Sequence, residues 1–234
     1  MTRLDDWSVS PTEAVAIQRR LRDLVVPHPP PGFAPRLVAG ADVSVARFAS
    51  TGYAGVVVLD HETRETVDEA GARVELAFPY IPGLLSFREL PALVRAWERL
   101  SVRPDVLIFD GVGFAHPRRF GIACHGGVLL DLPTIGCAKS ILVGRHEPLD
   151  EAAGAQAPLV HRDEVVGMAV RLRARVQPVY VSIGHRIDLP TAVRVVQAMG
   201  AGLRLPETTR RAHALVNAMR RGERDSGDAA DAAG

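Results

Sequence analysis

Apolar residues recur at helical spacing from about Pro11 to Val26, where Val15, Ile17, Leu21 and Leu24 share one side of a predicted helix. A proline-rich connector, VPHPPPGFAPR, follows and admits neither regular helix nor central strand. Three strand-like runs come next: RLVAGADVSVARF, YAGVVVLD and RETVDEAGARVELAF. The turn-like HETRE after Asp60 makes an antiparallel meander of them. FPYIPG breaks the pattern, and SFRELPALVRAWERL then reads as a helix that turns Phe87, Leu90, Leu93, Val94 and Trp97 inward. Ser86, with Glu89 three residues on, has the form of a capping box. The unbroken apolar run in PDVLIFDG predicts a buried strand. A helix from about Arg119 to Leu130, a short strand at TIGCAKS and a strand pair around Gln177 and Pro178 follow. Two helices close the pattern, LPTAVRVVQAMG ended by Gly200 and PETTRRAHALVNAMRR opened by Pro206. The expectation is an α/β domain over residues 1–221, its central mixed sheet running from three antiparallel strands into parallel strands, with helices on the faces. The tail, residues 222–234, has no large apolar residue and is expected to be disordered.

Composition narrows the class. With 234 residues, 47% of them hydrophobic, the chain suits one generous domain. No apolar run reaches membrane-spanning length, and the N-terminus has no apolar signal core. Cys124 and Cys137 are too few for a disulfide framework, so a cytoplasmic protein with reduced thiols is expected. A net charge of +1 does not announce a nucleic-acid binder. Lys139 is the only lysine among otherwise arginine cations. Genome base composition is the simpler account of that bias; a compact charge needed at one place is the other.

Three carboxylates stand out by position. Asp42 lies within the first strand, Asp110 ends the buried strand, and Glu89 occupies the first helical turn between them. Carboxylates gathered from separate elements repel one another, and a divalent cation resolves the repulsion, with Mg2+ the usual choice. Each also has a plainer role: Glu89 in the capping box, Asp42 satisfying backbone near a bulge, Asp110 as a turn residue before Gly111. The next residues, GVGFAHPRR, combine bare backbone at Gly111 and Gly113 with His116 and two arginines, as though something charged approached the chain. In PYIPG, Pro79 and Pro82 stiffen both sides of Tyr80 and Ile81. Such a tip suits a wedge between stacked bases or an apolar loop folded over the core. The dinucleotide-loop, phosphate-loop and zinc motifs are absent from the sequence, and the adjacent Cys124 and His125 do not make a nucleophile–base pair.

The blocks GADVS, FPYIPGLLSFRE, LIFDGVGFAHPRRFGIACHGGVLLDLPTIGCAKSILVG, VSIGHRIDLPTAV and LPETTRRAH together resemble the endonuclease V family, in order from about residue 36 to 217. The resemblance implies a ribonuclease H-like fold and a Mg2+-dependent DNA-repair endonuclease, with Mn2+ able to substitute. Such an enzyme cuts the second phosphodiester bond 3′ to a deaminated base, typically hypoxanthine. It implies Asp42, Glu89 and Asp110 as metal ligands, His213 as completing the site, and Lys139 at the scissile region. Tyr80 is then the wedge, flanked by Pro79, Ile81 and Pro82, while Gly83, Leu85, Gly111 and His116 line the pocket for the extruded base. Val45 and Cys124 depart from the usual pattern, which has an aromatic residue and a serine there. The expected partner is DNA containing deoxyinosine; inosine in RNA, or branched and flapped DNA, is the alternative substrate, and a monomer is expected. A non-cleaving reader of deaminated bases is the competing class, disfavoured because a reader needs no buried acids.

Overall fold

The two hydrophobic periodicities resolve into helices and strands in the computed structural model, which describes residues 7–45 and 50–224. In chain order the elements are α1 (Pro11–Leu21), β1 (Leu37–Val45), β2 (Thr51–Asp60), β3 (Thr66–Glu75), α2 (Leu85–Glu98), β4 (Val106–Phe109), α3 (Ile122–Leu130), β5 (Thr134–Ala138), β6 (Gln156–His161), β7 (Glu164–Val170), β8 (Val179–His185), α4 (Leu189–Ala198) and α5 (Glu207–Arg220). The strands form one eight-stranded sheet in the order β3-β2-β1-β4-β5-β8-β7-β6. The first three make the expected antiparallel meander, and β1, β4 and β5 run parallel to one another. Beyond β5 the sheet returns to antiparallel pairing through β8, β7 and β6. This is the mixed, ribonuclease H-like α/β arrangement that the resemblance implies.

Alternation along the strands splits the core in two. Ala39, Ala41, Val56, Leu107 and Phe109 face Leu90 and Leu93 of α2. Val38, Val57, Ile108 and Ile135 face α4 and α5, against Val193, Val196 and Leu215. On that second face three glycines shape the path of α5. A Cβ at Gly40 would fall 2.3 Å from the Thr208 backbone, one at Gly55 would meet Val216, and one at Gly71 would meet Met219. Gly55 pairs with Asp42 and with Gly71 across the meander. Helix α5 therefore crosses β1, β2 and β3 in close contact, and the lack of side chains beneath it allows that approach.

Several expectations are corrected. The first helix stops at Leu21 and continues as a single 3-10 turn at Arg22–Leu24, leaving Leu24 exposed rather than inward. Strand β6, absent from the predicted elements, buries Ala157 and Leu159 and leaves Pro158 exposed, which an edge strand tolerates. The capping box at Ser86 does not form, because the N-cap of α2 lies two residues earlier, at Leu84, with no side-chain cap. Ser86 is buried, and its Oγ lies 3.1 Å from His125 Nδ1. Of the tail, residues 222–224 are described, and Arg224 pairs with Glu69. The disorder expected of residues 225–234 lies outside the described residues. Among the described residues no helix is long and apolar enough to cross a membrane.

Candidate active site

The parallel pairing of β1 with β4 sets the acidic centre. Ala41 and Phe109 are register partners, and Asp110 N–H donates to Ala41 O at 3.1 Å. Asp42, within β1, and Asp110, just past the end of β4, are thus the next residues of neighbouring strands. Asp42 is 10% exposed; its Oδ1 accepts from Val43 N–H, and its Oδ2 lies 2.7 Å from His213 Nδ1. Burial raises the Asp42 pKa, the Asp110 charge raises it further, and the His213 hydrogen bond opposes both. Glu89 joins from the first turns of α2. Burial first, then the charges of Asp42 and Asp110, push its carboxyl up to about 8.

The cations come from other elements. Lys139, just past β5, forms an ion pair with Asp110 Oδ2. Its backbone carbonyl is held by Arg204 Nη2 at 2.7 Å. His213 stands on α5, half exposed. Asn217 Nδ2 donates to His213 O and approaches Nε2 at 2.9 Å, while Asn217 Oδ1 accepts from Ser44 Oγ. That network puts the ring proton on Nδ1, directed at Asp42.

Three carboxylates, two of them with pKa values raised by burial and by neighbouring acid charge, fit a hard divalent cation in charge and in donor chemistry. Among the described residues no three His, Cys, Asp or Glu side chains are already drawn together as ligands. Instead Lys139 and His213 occupy one oxygen each of Asp110 and Asp42. Binding an ion here would require those two contacts to yield or be shared.

A cavity of about 320 Å3 adjoins the acids, near the lower end of the range for small-ligand sites. Asp110, Gly111 and Lys139 line one part of it; Tyr80, Ile81, Pro82, Gly83, Leu85 and His116 line the rest. Asp42, Glu89 and His213 stand outside its lining, as does Pro79, which is exposed. Tyr80 is 71% exposed at the loop tip. The loop is held at both ends. Arg88 Nη1 donates to Phe78 O at 2.5 Å, and the Gly83 carbonyl accepts from Gln18 Nε2, His116 Nε2 and Arg118 Nη2 at 2.7–3.0 Å. His116 is fully buried and burial drives its pKa down to about 4, so the ring is neutral near pH 7 and donates through Nε2.

Parts of the GVGFAHPRR segment also hold the scaffold together. A Cβ at Gly113 would lie 2.0 Å from Ile183 O, so this glycine admits β8, and its N–H donates to Ser182 Oγ. Arg118 is tied to Gln18 and Gly83, and Arg119 to Glu164, His116 O and His161 O. Neither Val45 nor Cys124 lines the cavity; Val45 packs on the α2 side of the sheet, and Cys124 is buried beside Phe120. Gln18 and Asn217 had no role in the sequence reading. Gln18 sits between Ala14 and Leu21 on the buried stripe of α1, and a lone amide on such a stripe is the signal that finds it.

The family model described as Endonuclease V matches residues 19–214. Endonuclease V of Myxococcus xanthus is 61% identical over 225 residues, covering 96% of this chain and 94% of the relative. The crystal structure of Endonuclease V from Streptomyces avermitilis is similar at TM-score 0.86 and 43% identity, covering 94% of this chain and 97% of that one. Endonuclease V of Ciona intestinalis is similar at TM-score 0.79 and 26% identity, over 91% and 98%. Its structure is a complex with a 24mer DNA containing an inosine followed by a ribo-adenosine.

Proposed function

The chain belongs to the endonuclease V family, nucleases that act on inosine-containing nucleic acid, and from that premise we propose a Mg2+-dependent DNA-repair endonuclease. On this reading it extrudes hypoxanthine from the stack and hydrolyses the second phosphodiester bond 3′ to it. Asp42, Glu89 and Asp110 hold the ion, with Mn2+ able to substitute. When bound, the ion would supply an activated water and charge stabilisation for the leaving oxygen. Lys139 places its positive charge where the scissile phosphate gathers negative charge. His213 orients Asp42 through Nδ1. Tyr80, between Pro79 and the Ile81–Pro82 pair, enters the gap left by the extruded base, and Gly83, Leu85, Gly111 and His116 receive that base.

One observation carries the reading: a single cavity has Asp110 and Lys139 at one part and the stiff Tyr80–Gly83 tip with His116 at another. The Gly83 carbonyl is already fully used by three donors, so recognition through Gly83 falls to its bare Cα surface. The Ciona relative's DNA carries a ribonucleotide next to its inosine, which keeps inosine in RNA as the second reading.

The test is a nicking assay on matched DNA and RNA strands, each with one inosine, in Mg2+ and in EDTA. A Mg2+-dependent nick one nucleotide beyond inosine, absent from the unmodified strand, is expected, and the preferred strand decides between the two readings. Asp42→Asn and Asp110→Asn should each lower the rate on the order of a thousandfold while binding changes only a few-fold. Cutting retained by either variant would overturn the assigned centre.

A further inference from the structure

The loop that ends at Leu84 has a second face. Ile81, Pro82 and Leu84 there meet α1 and enclose a separate recess of about 510 Å3. Pro11, Val15 and Ala16 give it an apolar wall, and its charged lining groups are Arg19 and Arg118, with no carboxylate among them. Arg19 is exposed and has no hydrogen bond or ion pair with a described residue. Arg118 spends Nε and Nη2 on two neutral acceptors, Gln18 Oε1 and Gly83 O. Burial, and then the nearby Arg19 charge, hold the Arg118 pKa below the usual arginine value. Two guanidiniums facing one recess with no acid between them favour an anion, and the apolar wall beside them favours a flat or aliphatic group.

We propose that this recess seats the strand opposite the inosine, a phosphate on Arg19 and Arg118 and a sugar or unpaired base against Val15, Ala16 and Pro82. The inference rests on the wedge reading of Tyr80 and Ile81 and extends it to a second strand. Ile81 and Pro82 line both recesses, so the loop is a partition between them. The acidic centre opens on the cavity side, where the strand to be cut must lie. What a partition inserted into a duplex separates from that strand is its complement.

The experiment uses one inosine oligonucleotide, presented alone and annealed to its complement, with binding followed by anisotropy and nicking followed in Mg2+. Arg19→Glu and Ala16→Glu both fall on the exposed part of α1, so melting temperatures should match the parent chain. Arg20→Glu, exposed but outside the recess, controls for net charge. The expected result is about tenfold weaker duplex binding for Arg19→Glu and Ala16→Glu, with the salt slope of Arg19→Glu reduced by about one. Arg20→Glu should change little, and single-strand nicking should be unchanged for all three. Equal losses on single strand and duplex would overturn the proposal, as would no loss on either. If the parent chain nicks neither inosine substrate, the functional reading fails, and this proposal with it.

Discussion

A carboxyl raised to about 8, as Glu89 is, holds its proton in the folded state at pH values where the unfolded chain has released it. Its folded pKa exceeds its unfolded value of 4.5, so stability falls as pH climbs from there towards 8. Without divalent ions the melting temperature should therefore drop between about pH 5 and pH 9, and Glu89→Gln should flatten the decline. Added Mg2+ should raise the melting temperature of the parent chain more at the alkaline end, because it competes with the proton. Parallel curves for parent and Glu89→Gln would exclude this account. At this scale the sequence picked out acids that the fold brings within electrostatic reach of one another, but not their surroundings. Ser86 and Glu89 satisfy the spacing of a capping box, yet the helix starts at Leu85, and a cap displaced by two residues sends Ser86 to His125 and leaves Glu89 beside the aspartates. Helix starts depend on how the preceding loop packs, and the pull of Gln18, His116 and Arg118 on Gly83 is written in segments far from it.

Helix α5 brings His213 to Asp42 only because it lies nearly on the sheet. The two ends of that contact should respond differently to a methyl group. Gly40→Ala places Cβ against the Thr208 backbone, which cannot move aside, whereas Gly71→Ala meets the flexible end of Met219. Denaturant unfolding should show a loss of about 1–3 kcal/mol for Gly40→Ala and less than about 1 kcal/mol for Gly71→Ala. Equal losses would mean that the close approach is not what holds α5. The strands themselves were legible wherever burial was one-sided or complete, as in the β1–β3 meander and the apolar run of β4. Strand β6 was not, because its alternation covers only Gln156 to Leu159 and the Pro158 within it argues against a strand. The reversal from parallel to antiparallel after β5 was equally hidden, since strand direction follows from connections and not from the residues of β8.

Across the whole molecule, arginine is more often a clamp than a surface charge. Arg118, Arg119, Arg186, Arg204, Arg210 and Arg211 all end on carbonyls, amides, hydroxyls or carboxylates of the chain. With a net charge of +1 and these guanidiniums already hydrogen-bonded, the net positive charge offered to phosphate is small. The logarithm of the affinity for inosine DNA should therefore fall with the logarithm of salt at a slope no steeper than about −4. A much steeper slope in a titration from low to physiological salt would reveal a basic surface larger than the recesses described. The double tether of the Tyr80 loop, by Arg88 at Phe78 and by three donors at Gly83, has a kinetic meaning for such a weakly attracted protein. A tip that arrives already set needs no ordering of its own at each contact. On the proposed reading, then, the dwell time at any base pair is governed by how readily that pair breathes, and mispaired positions are sorted from sound ones by their own opening rates.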